Sequence, residues 1–104
     1  MSNPLLLARD GAVATITLNR PDALNTLDFP MMDALVAVTA EVAADDALRV
    51  VVIRGAGKHF MAGGDLRTFA RQLGNPGPQR DADFRAIIGR LHAAIEQLHR
   101  MPHP

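Results

Sequence analysis

The residues with the clearest chemical potential are three consecutive small residues that precede an acidic one. Ala62, Gly63 and Gly64 follow a strand-like run, and Asp65 is a residue type that begins helices. Small residues let the backbone approach a ligand closely, and the start of a helix leaves amide N–H groups without internal partners. A backbone donor of this kind can hold an oxygen that becomes negatively charged during a reaction. Taken alone, the same residues also fit a tight strand-to-helix turn without a ligand.

A second element, Arg-Pro-Asp-Ala-Leu-Asn at residues 20–25, lies upstream of these residues. Together with the pattern Phe-x-Ala-Gly-x-Asp-Leu at residues 60–66, it resembles the crotonase (enoyl-CoA hydratase/isomerase) superfamily, whose members handle acyl-CoA thioesters. The two elements occur in the family's order, with a β-branched strand before the second, and the match covers nearly the whole chain. The resemblance implies an α/β fold, the crotonase-like ββα spiral, with residues 1–104 as the N-terminal part of a single domain.

The resemblance also assigns roles to particular residues. It makes the Gly64 amide a catalytic oxyanion donor and the Ala62 carbonyl the acceptor for the adenine amino group of CoA. The segment of Ala23 and Leu24 corresponds to backbone that lies along the pantetheine and nucleotide part of CoA. The implied residues that bind the CoA thioester are Ala23, Leu24, Ala62, Gly63, Gly64, Asp65 and Leu66.

Neighbouring residues have competing interpretations. Leu24 is equally expected as a buried residue, and Asn25 is expected to fix the turn through side-chain hydrogen bonds. Arg20 and Lys58 stand beside the proposed site and fit either contacts with CoA phosphates or simple solvation. Asp65 is expected as a helix N-cap that orients the Gly64 amide, in preference to a general base.

Two further expectations concern the helix that follows Asp65. Phe69 is expected in the core, although the matching region of relatives lines the acyl pocket. Arg67 and Arg71 are the other residues of this helix that could line such a pocket.

The parent reaction implied by the resemblance is hydration of a 2-enoyl-CoA. Other activities of the superfamily, such as thioester hydrolysis and double-bond isomerisation, stay open, and so does a catalytically inactive fragment or acyl-CoA-binding module. The second oxyanion donor and the acid/base carboxylates are expected beyond Pro104, in and after a Gly-rich segment, so little turnover is expected from these 104 residues alone. CoA is part of the substrate, no separate cofactor is implied, and homo-oligomers (trimers or hexamers) are expected.

The amino-acid composition limits the classes of binding partner that are expected. Eleven basic and eleven acidic residues cancel, which argues against broad binding of nucleic acid or anionic membranes. There is no cysteine and no apolar run long enough to span a bilayer, so a soluble cytoplasmic protein is expected. No metal site is predicted, because the four histidines lack ligand spacing and are expected at the surface.

The elements that must position the site follow from the hydrophobic pattern. Residues 5–8 and 12–19 predict an antiparallel hairpin around Asp10-Gly11, with Ala14, Ile16 and Leu18 on its apolar face. Asp28 is expected to cap a helix that reaches Asp45, and residues 48–54 predict a parallel strand covered on both faces.

Two more helices complete the prediction. Asp65 should cap a short helix over residues 66–73, and Gly74 to Pro78 should break it and form a surface excursion. A long amphipathic helix should begin near Asp81 or Ala82 and end at Met101. Its apolar stripe, from Phe84 to Leu98, has no obvious cover in this chain, which predicts self-association.

Overall fold

A three-stranded sheet with helices packed against it forms the protein. The structure, a computed structural model, describes residues 3–104. The strands are β1 (Leu5–Asp10), β2 (Val13–Leu18) and β3 (Val50–Gly55), in the order β1-β2-β3. The helices are α1 (Phe29–Ala43), α2 (Leu66–Leu73) and α3 (Gly77–Arg100).

The hairpin of β1 and β2 is confirmed. Gly11 makes its turn with a left-handed φ of 59°, which a glycine adopts without steric cost. Leu5 pairs with Leu18, and Leu7 with Ile16, across the antiparallel ladder, and this register places these four residues on one face. The predicted inner residues Ala14, Ile16 and Leu18 are buried.

Helix α1 connects β2 to β3 as the predicted crossover. Its N-cap is Asp28, whose Oδ1 accepts a hydrogen bond from the Met31 amide at 3.0 Å. The helix ends at Ala43, slightly before the predicted Asp45, and β3 then runs parallel to β2. Burial of a large side chain such as Met31 contributes about 1.5–3 kcal/mol, so the core-facing stripe of α1 holds this helix on the sheet.

One face of β3 is open, where the sequence predicted cover on both faces. Val50 and Val52 are 37% and 41% exposed, whereas Val51 and Ile53 pack against the core. A continuous β-branched run indicates two covered faces only where a second layer exists. Within residues 3–104 that second layer is absent.

The sequence predicted the limits of α2 more accurately than those of α3. Helix α2 has the predicted limits, but α3 begins at Gly77, earlier than the predicted Asp81 or Ala82. Pro78 stands in the first turn of α3, where its missing N–H removes no helical hydrogen bond, so it starts the helix and does not break it. The predicted surface excursion therefore shrinks to the residues between Leu73 and Gly77.

Helix α3 packs along α1 and is buried there at Ile87 and Ala94. This contact buries part of the apolar stripe, for which the sequence indicated no covering element. Ile88 and Ile95, also in the stripe, stay 50% and 52% exposed.

The C-terminal residues return to the sheet. The Val51 amide donates to the Pro104 carbonyl at 2.8 Å, and Nε2 of His103 lies 2.7 Å from the Val42 carbonyl. His103 is buried, so its predicted surface position is wrong; the Val42 carbonyl near the end of α1, which also accepts from the Asp45 amide, gives this imidazole a partner. His59, His92 and His99 are exposed as predicted. No helix within residues 3–104 combines the length and hydropathy needed to cross a membrane.

Candidate functional site

The turn that follows β2 is fixed by one buried amide side chain. Leu24 and Asn25 both have left-handed backbones, with φ of 56° and 54°, and asparagine tolerates this conformation better than most residues. Asn25 Oδ1 accepts from the Arg20 amide at 2.8 Å, and its Nδ2 donates to the Ala56 and His59 carbonyls at 3.0 and 2.8 Å. The prediction that Asn25 fixes the turn is confirmed, and the same side chain ties the turn to the loop after β3.

The two sequence elements lie side by side. The Ala62 amide donates to the Leu24 carbonyl at 3.1 Å, and the Leu27 amide donates to the Gly63 carbonyl at 2.9 Å. The Asp65 amide returns a bond to the Leu27 carbonyl at 3.1 Å, which makes an isolated parallel bridge between Leu27 and Gly64. Segments that are about 40 positions apart in the chain are therefore held in one register.

The amide of Gly64 takes no part in the hydrogen bonds of this bridge. In a parallel pairing, the bonds to Leu27 come from the residues on either side of Gly64, so the N–H of Gly64 itself points away from Leu27. Among residues 3–104, no acceptor bonds to this amide. Gly63 makes the bend before it with a φ of 105°, a conformation that glycine alone adopts readily.

Phe69 packs directly on Gly64. A Cβ built on Gly64 would lie 2.5 Å from the Cε2 and Cζ atoms of the Phe69 ring, so the absence of a side chain makes room for the ring. The ring also meets Phe84 of α3, with 5.9 Å between centroids and 55° between planes. Phe69 is half-buried, so it is partly a core residue, as predicted, and partly a wall beside Gly64.

A cleft of about 520 Å³ opens beside these residues, and we call it the Gly64 cleft. Its lining includes six of the seven residues predicted to bind a thioester: Ala23, Leu24, Ala62, Gly64, Asp65 and Leu66. Gly63 is not in the lining, and its carbonyl is bonded to Leu27. Leu24 is 46% exposed, which excludes the alternative that it is a buried residue.

The Ala62 carbonyl stays available as an acceptor. It receives no hydrogen bond from any donor in residues 3–104, although the Ala62 amide is bonded to Leu24. The residues that line the cleft thus include Gly64, whose amide has no acceptor among the described residues, and Ala62, whose carbonyl has no donor among them. These are the two groups that the sequence singled out.

Asp65 is the N-cap of α2, as predicted, because its Oδ1 accepts from the Thr68 amide at 3.1 Å. This hydrogen bond, followed by those from Arg20 and Thr26 to Oδ2, holds the pKa of the Asp65 carboxyl below its ordinary value, against the opposing effect of burial. A carboxylate with a lowered pKa and three donors is a poor general base. The capping interpretation of Asp65 therefore stands.

The two predicted phosphate candidates lie in different surroundings. Arg20 is half-buried and directs its guanidinium to Thr26, Asp28 and Asp65, whereas Lys58 is exposed. Arg67 and Arg71 of α2 are exposed at the cleft, so its lining holds three arginines, together with Asp22, Asp28 and Asp65.

Sequence reasoning missed the contacts of Arg20 with two N-cap carboxylates. The available signal was the presence of Asp28 and Asp65 at two predicted helix starts, since each such residue caps with one oxygen and leaves the other free. Which cation meets the free oxygens depends on long-range packing, and no local pattern encodes it.

Comparison with known proteins identifies the family of this chain. A sequence model of the family described as Enoyl-CoA hydratase/isomerase matches residues 13–104. The chain belongs to this family. The match includes both the turn of Asn25 and the segment of Gly64.

Individual relatives agree with this enoyl-CoA hydratase/isomerase assignment. The Mycobacterium bovis protein named "Probable enoyl-CoA hydratase echA8" is 36% identical over 94 residues, which cover 86% of this chain and 34% of the relative. An enoyl-CoA hydratase structure from Mycobacterium smegmatis has a TM-score of 0.86 and 33% identity, and covers 99% of this chain and 38% of that one. An enoyl-CoA hydratase/carnithine racemase from Magnetospirillum magneticum has a TM-score of 0.84 and 34% identity, with coverage of 100% and 38%.

These comparisons confirm the crotonase-type α/β fold. They also show that the chain spans about a third of the length of the curated relatives it matches, 34% in the example above. The family's enzymatic activity is thus the activity of chains about three times as long.

Proposed function

We propose that the Gly64 cleft binds an acyl-CoA thioester and that the Gly64 amide donates a hydrogen bond to its carbonyl oxygen. The observation that carries this proposal is the Gly64 N–H, which has no acceptor among residues 3–104 and belongs to a residue that lines the cleft. A free, rigidly held donor stabilises the negative oxygen of an enolate more than the neutral carbonyl of the bound substrate. One such donor typically contributes about 3–4 kcal/mol to lowering a barrier.

The rest of the cleft supports a CoA thioester as the ligand. The free Ala62 carbonyl provides an acceptor for the adenine amino group, and exposed Leu24 provides apolar surface for the pantetheine. Exposed Arg67 and Arg71 provide cationic groups for the phosphates of CoA, in a lining that also holds Asp22, Asp28 and Asp65. Phe69 packs on Gly64 and so adds apolar surface beside the site proposed for the acyl group, although it is not in the lining of the cleft.

In the whole protein, the parent reaction would be addition of water to a 2-enoyl-CoA. The residues of this chain would bind CoA, orient the thioester and hold the oxygen that becomes negative. Addition of water also needs carboxylates with suitable pKa values beside the double bond. Such groups are not supplied by Asp28 and Asp65, because both carboxylates are occupied by helix capping and by Arg20.

The same observation favours a second candidate function, acyl-CoA binding without turnover. In that case residues 1–104 bind the thioester and polarise its carbonyl, but no water is added. Thioester hydrolysis and double-bond isomerisation use the same oxygen-holding amide, so the Gly64 cleft fits them equally well.

Isothermal titration calorimetry with butyryl-CoA tests the binding site. We expect saturable one-to-one binding that Leu24→Glu weakens at least tenfold, because a carboxylate in the cleft repels the ligand's phosphates. Leu6→Glu is the matched control, since Leu6 is 44% exposed and Leu24 46%, but Leu6 lies in β1 outside the cleft. Absence of binding, or equal weakening by both variants, would contradict the proposal.

Turnover is measured separately. The purified chain is mixed with crotonyl-CoA, and loss of the conjugated thioester absorbance is followed. Binding without loss of absorbance favours the binding function for this chain, whereas sustained turnover shows that residues 1–104 suffice for hydration.

A further inference from the structure

We infer that Arg20 is a positioning residue that fixes the direction of the Gly64 amide. This inference rests on the proposed function of that amide, although its structural part can be tested without a ligand. Arg20 does not contact Gly64. It acts through the residues that flank the Leu27–Gly64 bridge on both of its strands.

The first step is the contact set of the guanidinium. Its Nη2 atom lies 3.2 Å from Oδ2 of Asp65 and 3.3 Å from Oδ2 of Asp28. Its Nη1 atom donates to the carbonyl and the hydroxyl oxygen of Thr26. The Arg20 side chain is 22% exposed, so these partners largely surround it.

The second step is what those carboxylates already do. Asp28 caps α1 and Asp65 caps α2, each with its Oδ1 atom, and each gives its Oδ2 atom to Arg20. One cation therefore joins the N-termini of two helices. Arg20 and Asp65 are 45 positions apart in the sequence, so this connection belongs to the fold and not to a local turn.

The third step is the location of the bridge between those contacts. Thr26 and Asp28 stand on either side of Leu27, and Asp65 follows Gly64 directly. Arg20 thus holds both neighbours of Leu27 and the immediate neighbour of Gly64. The Gly64 N–H lies in the peptide plane that joins Gly63 to Gly64, and the carbonyl of that plane accepts from the Leu27 amide, so the direction of the N–H depends on how Leu27 is held.

The planar guanidinium is the chemical reason for arginine at this position. Its donors form a rigid fork that reaches several oxygens at once, whereas a lysine ammonium is a single point charge on a flexible stem. Arg20→Lys should therefore keep the charge and lose part of the positioning. Arg20→Gln should lose both.

The chain offers a matched control. Arg9 also contacts two carboxylates, Glu41 at 2.8 Å and Asp45 at 3.1 Å, but it links β1 to α1 and lies outside the Gly64 cleft. Arg9→Gln removes the same chemical group from a comparable pair. Any effect common to both variants is general loss of an ion pair.

The first arm of the experiment is amide hydrogen exchange measured by NMR without a ligand. In Arg20→Gln, we expect the bonded amides of Leu27 and Asp65 to exchange about tenfold faster, and the Ile16 amide in β2 to stay unchanged. Arg20→Lys should give a smaller increase at the same two amides, which keeps the test open if Arg20→Gln fails to fold. Arg9→Gln should leave Leu27 and Asp65 unchanged.

The second arm compares butyryl-CoA with S-butyl-CoA, a thioether that lacks the carbonyl oxygen. The wild-type chain should prefer the thioester, and Arg20→Gln should reduce that preference, the ratio of the two affinities, at least fivefold; loss of a positive charge from the cleft lining alone weakens both ligands by the same factor and leaves the ratio unchanged. A purely structural role would weaken both ligands alike.

The inference is overturned by unchanged exchange at Leu27 and Asp65, by faster exchange that includes Ile16 equally, or by an unchanged preference for the thioester. If the wild-type chain itself shows no such preference, the proposed function fails. The exchange rates then still decide whether Arg20 holds the bridge.

Discussion

The ring of Phe69 occupies the space in which any residue other than glycine at position 64 would carry its side chain. A Cβ there would lie 2.5 Å from two ring atoms, which is closer than carbon atoms approach one another without a shift of structure. The contact joins the residue before the N-cap of α2 to the fourth residue of that helix, and the ring also packs against Phe84 of α3. The Phe69 side chain therefore belongs both to the packing between α2 and α3 and to the surroundings of Gly64.

This contact predicts the effect of Gly64→Ala. The added methyl group should displace the Phe69 ring and lower the free energy of unfolding by about 1–3 kcal/mol, the usual cost of overpacking. Urea denaturation measures the difference. Gly64→Ala in a Phe69→Leu background should recover part of the loss, since a smaller side chain makes room for the methyl group. Equal losses in the two backgrounds would show that the ring is not the obstacle.

Asn25 should be among the most sensitive positions outside the apolar core. Asn25→Ala removes bonds to one amide and two carbonyls and places a less suitable residue in a left-handed backbone, so we expect a loss of about 2–4 kcal/mol. Thermal and urea unfolding provide the measurement. Asn19→Ala is the control, because the Asn19 side chain makes one exposed bond to the Asn3 carbonyl and should cost less than about 1 kcal/mol. Similar losses for the two variants would contradict the role given to Asn25.

The lowered pKa of Asp65 predicts acid sensitivity. The folded protein binds a proton at this carboxyl less tightly than the unfolded chain does, so the stabilisation is present above the unfolded pKa of about 3.9 and is lost as pH falls through the lower folded pKa. In Asp65→Asn, stability should be lower at neutral pH and should decline less between pH values of about 4 and 2. Urea midpoints measured across that range test this. Parallel curves for the two proteins would show that Asp65 does not contribute to the decline.

The open face of α3 predicts self-association. Ile88 and Ile95 are half exposed, and their spacing places them on the same side of the helix. Replacing both by lysine should shift the sedimentation of concentrated samples toward the monomer. Ala82→Lys with Ala86→Lys adds the same charge at exposed positions on the other side of the buried Ile87 and should have little effect. A compact monomer in the unsubstituted chain would contradict this prediction.

Local patterns were sufficient for much of the fold. The Asp-Gly turn, the alternation in β2 and the acidic caps at Asp28 and Asp65 each depend on residues within a few positions, and the structure confirms all four. The start of α3 was placed too late because Pro78 has two local meanings, helix breaker and first-turn residue. Only the packing of the helix decides between them.

Long-range features were predicted poorly for a physical reason. The buried position of His103, the open face of β3 and the contacts of Arg20 each depend on what lies across the fold. In the site, the family pattern located six of the seven expected residues at the cleft, but it did not reveal that Asn25 and Arg20 hold the two elements together. The sequence shows which residues are small or charged, but only the structure shows which of them are in contact.

The central claim is that the Gly64 amide donates to a thioester carbonyl, and NMR titration of ¹⁵N-labelled protein tests it most directly. Saturating butyryl-CoA should shift the Gly64 amide proton downfield, as a new hydrogen bond requires, and S-butyl-CoA, which lacks the carbonyl, should not. A Gly64 signal that stays in place while other amides of the cleft respond to butyryl-CoA would contradict the account, and so would identical Gly64 shifts with both ligands.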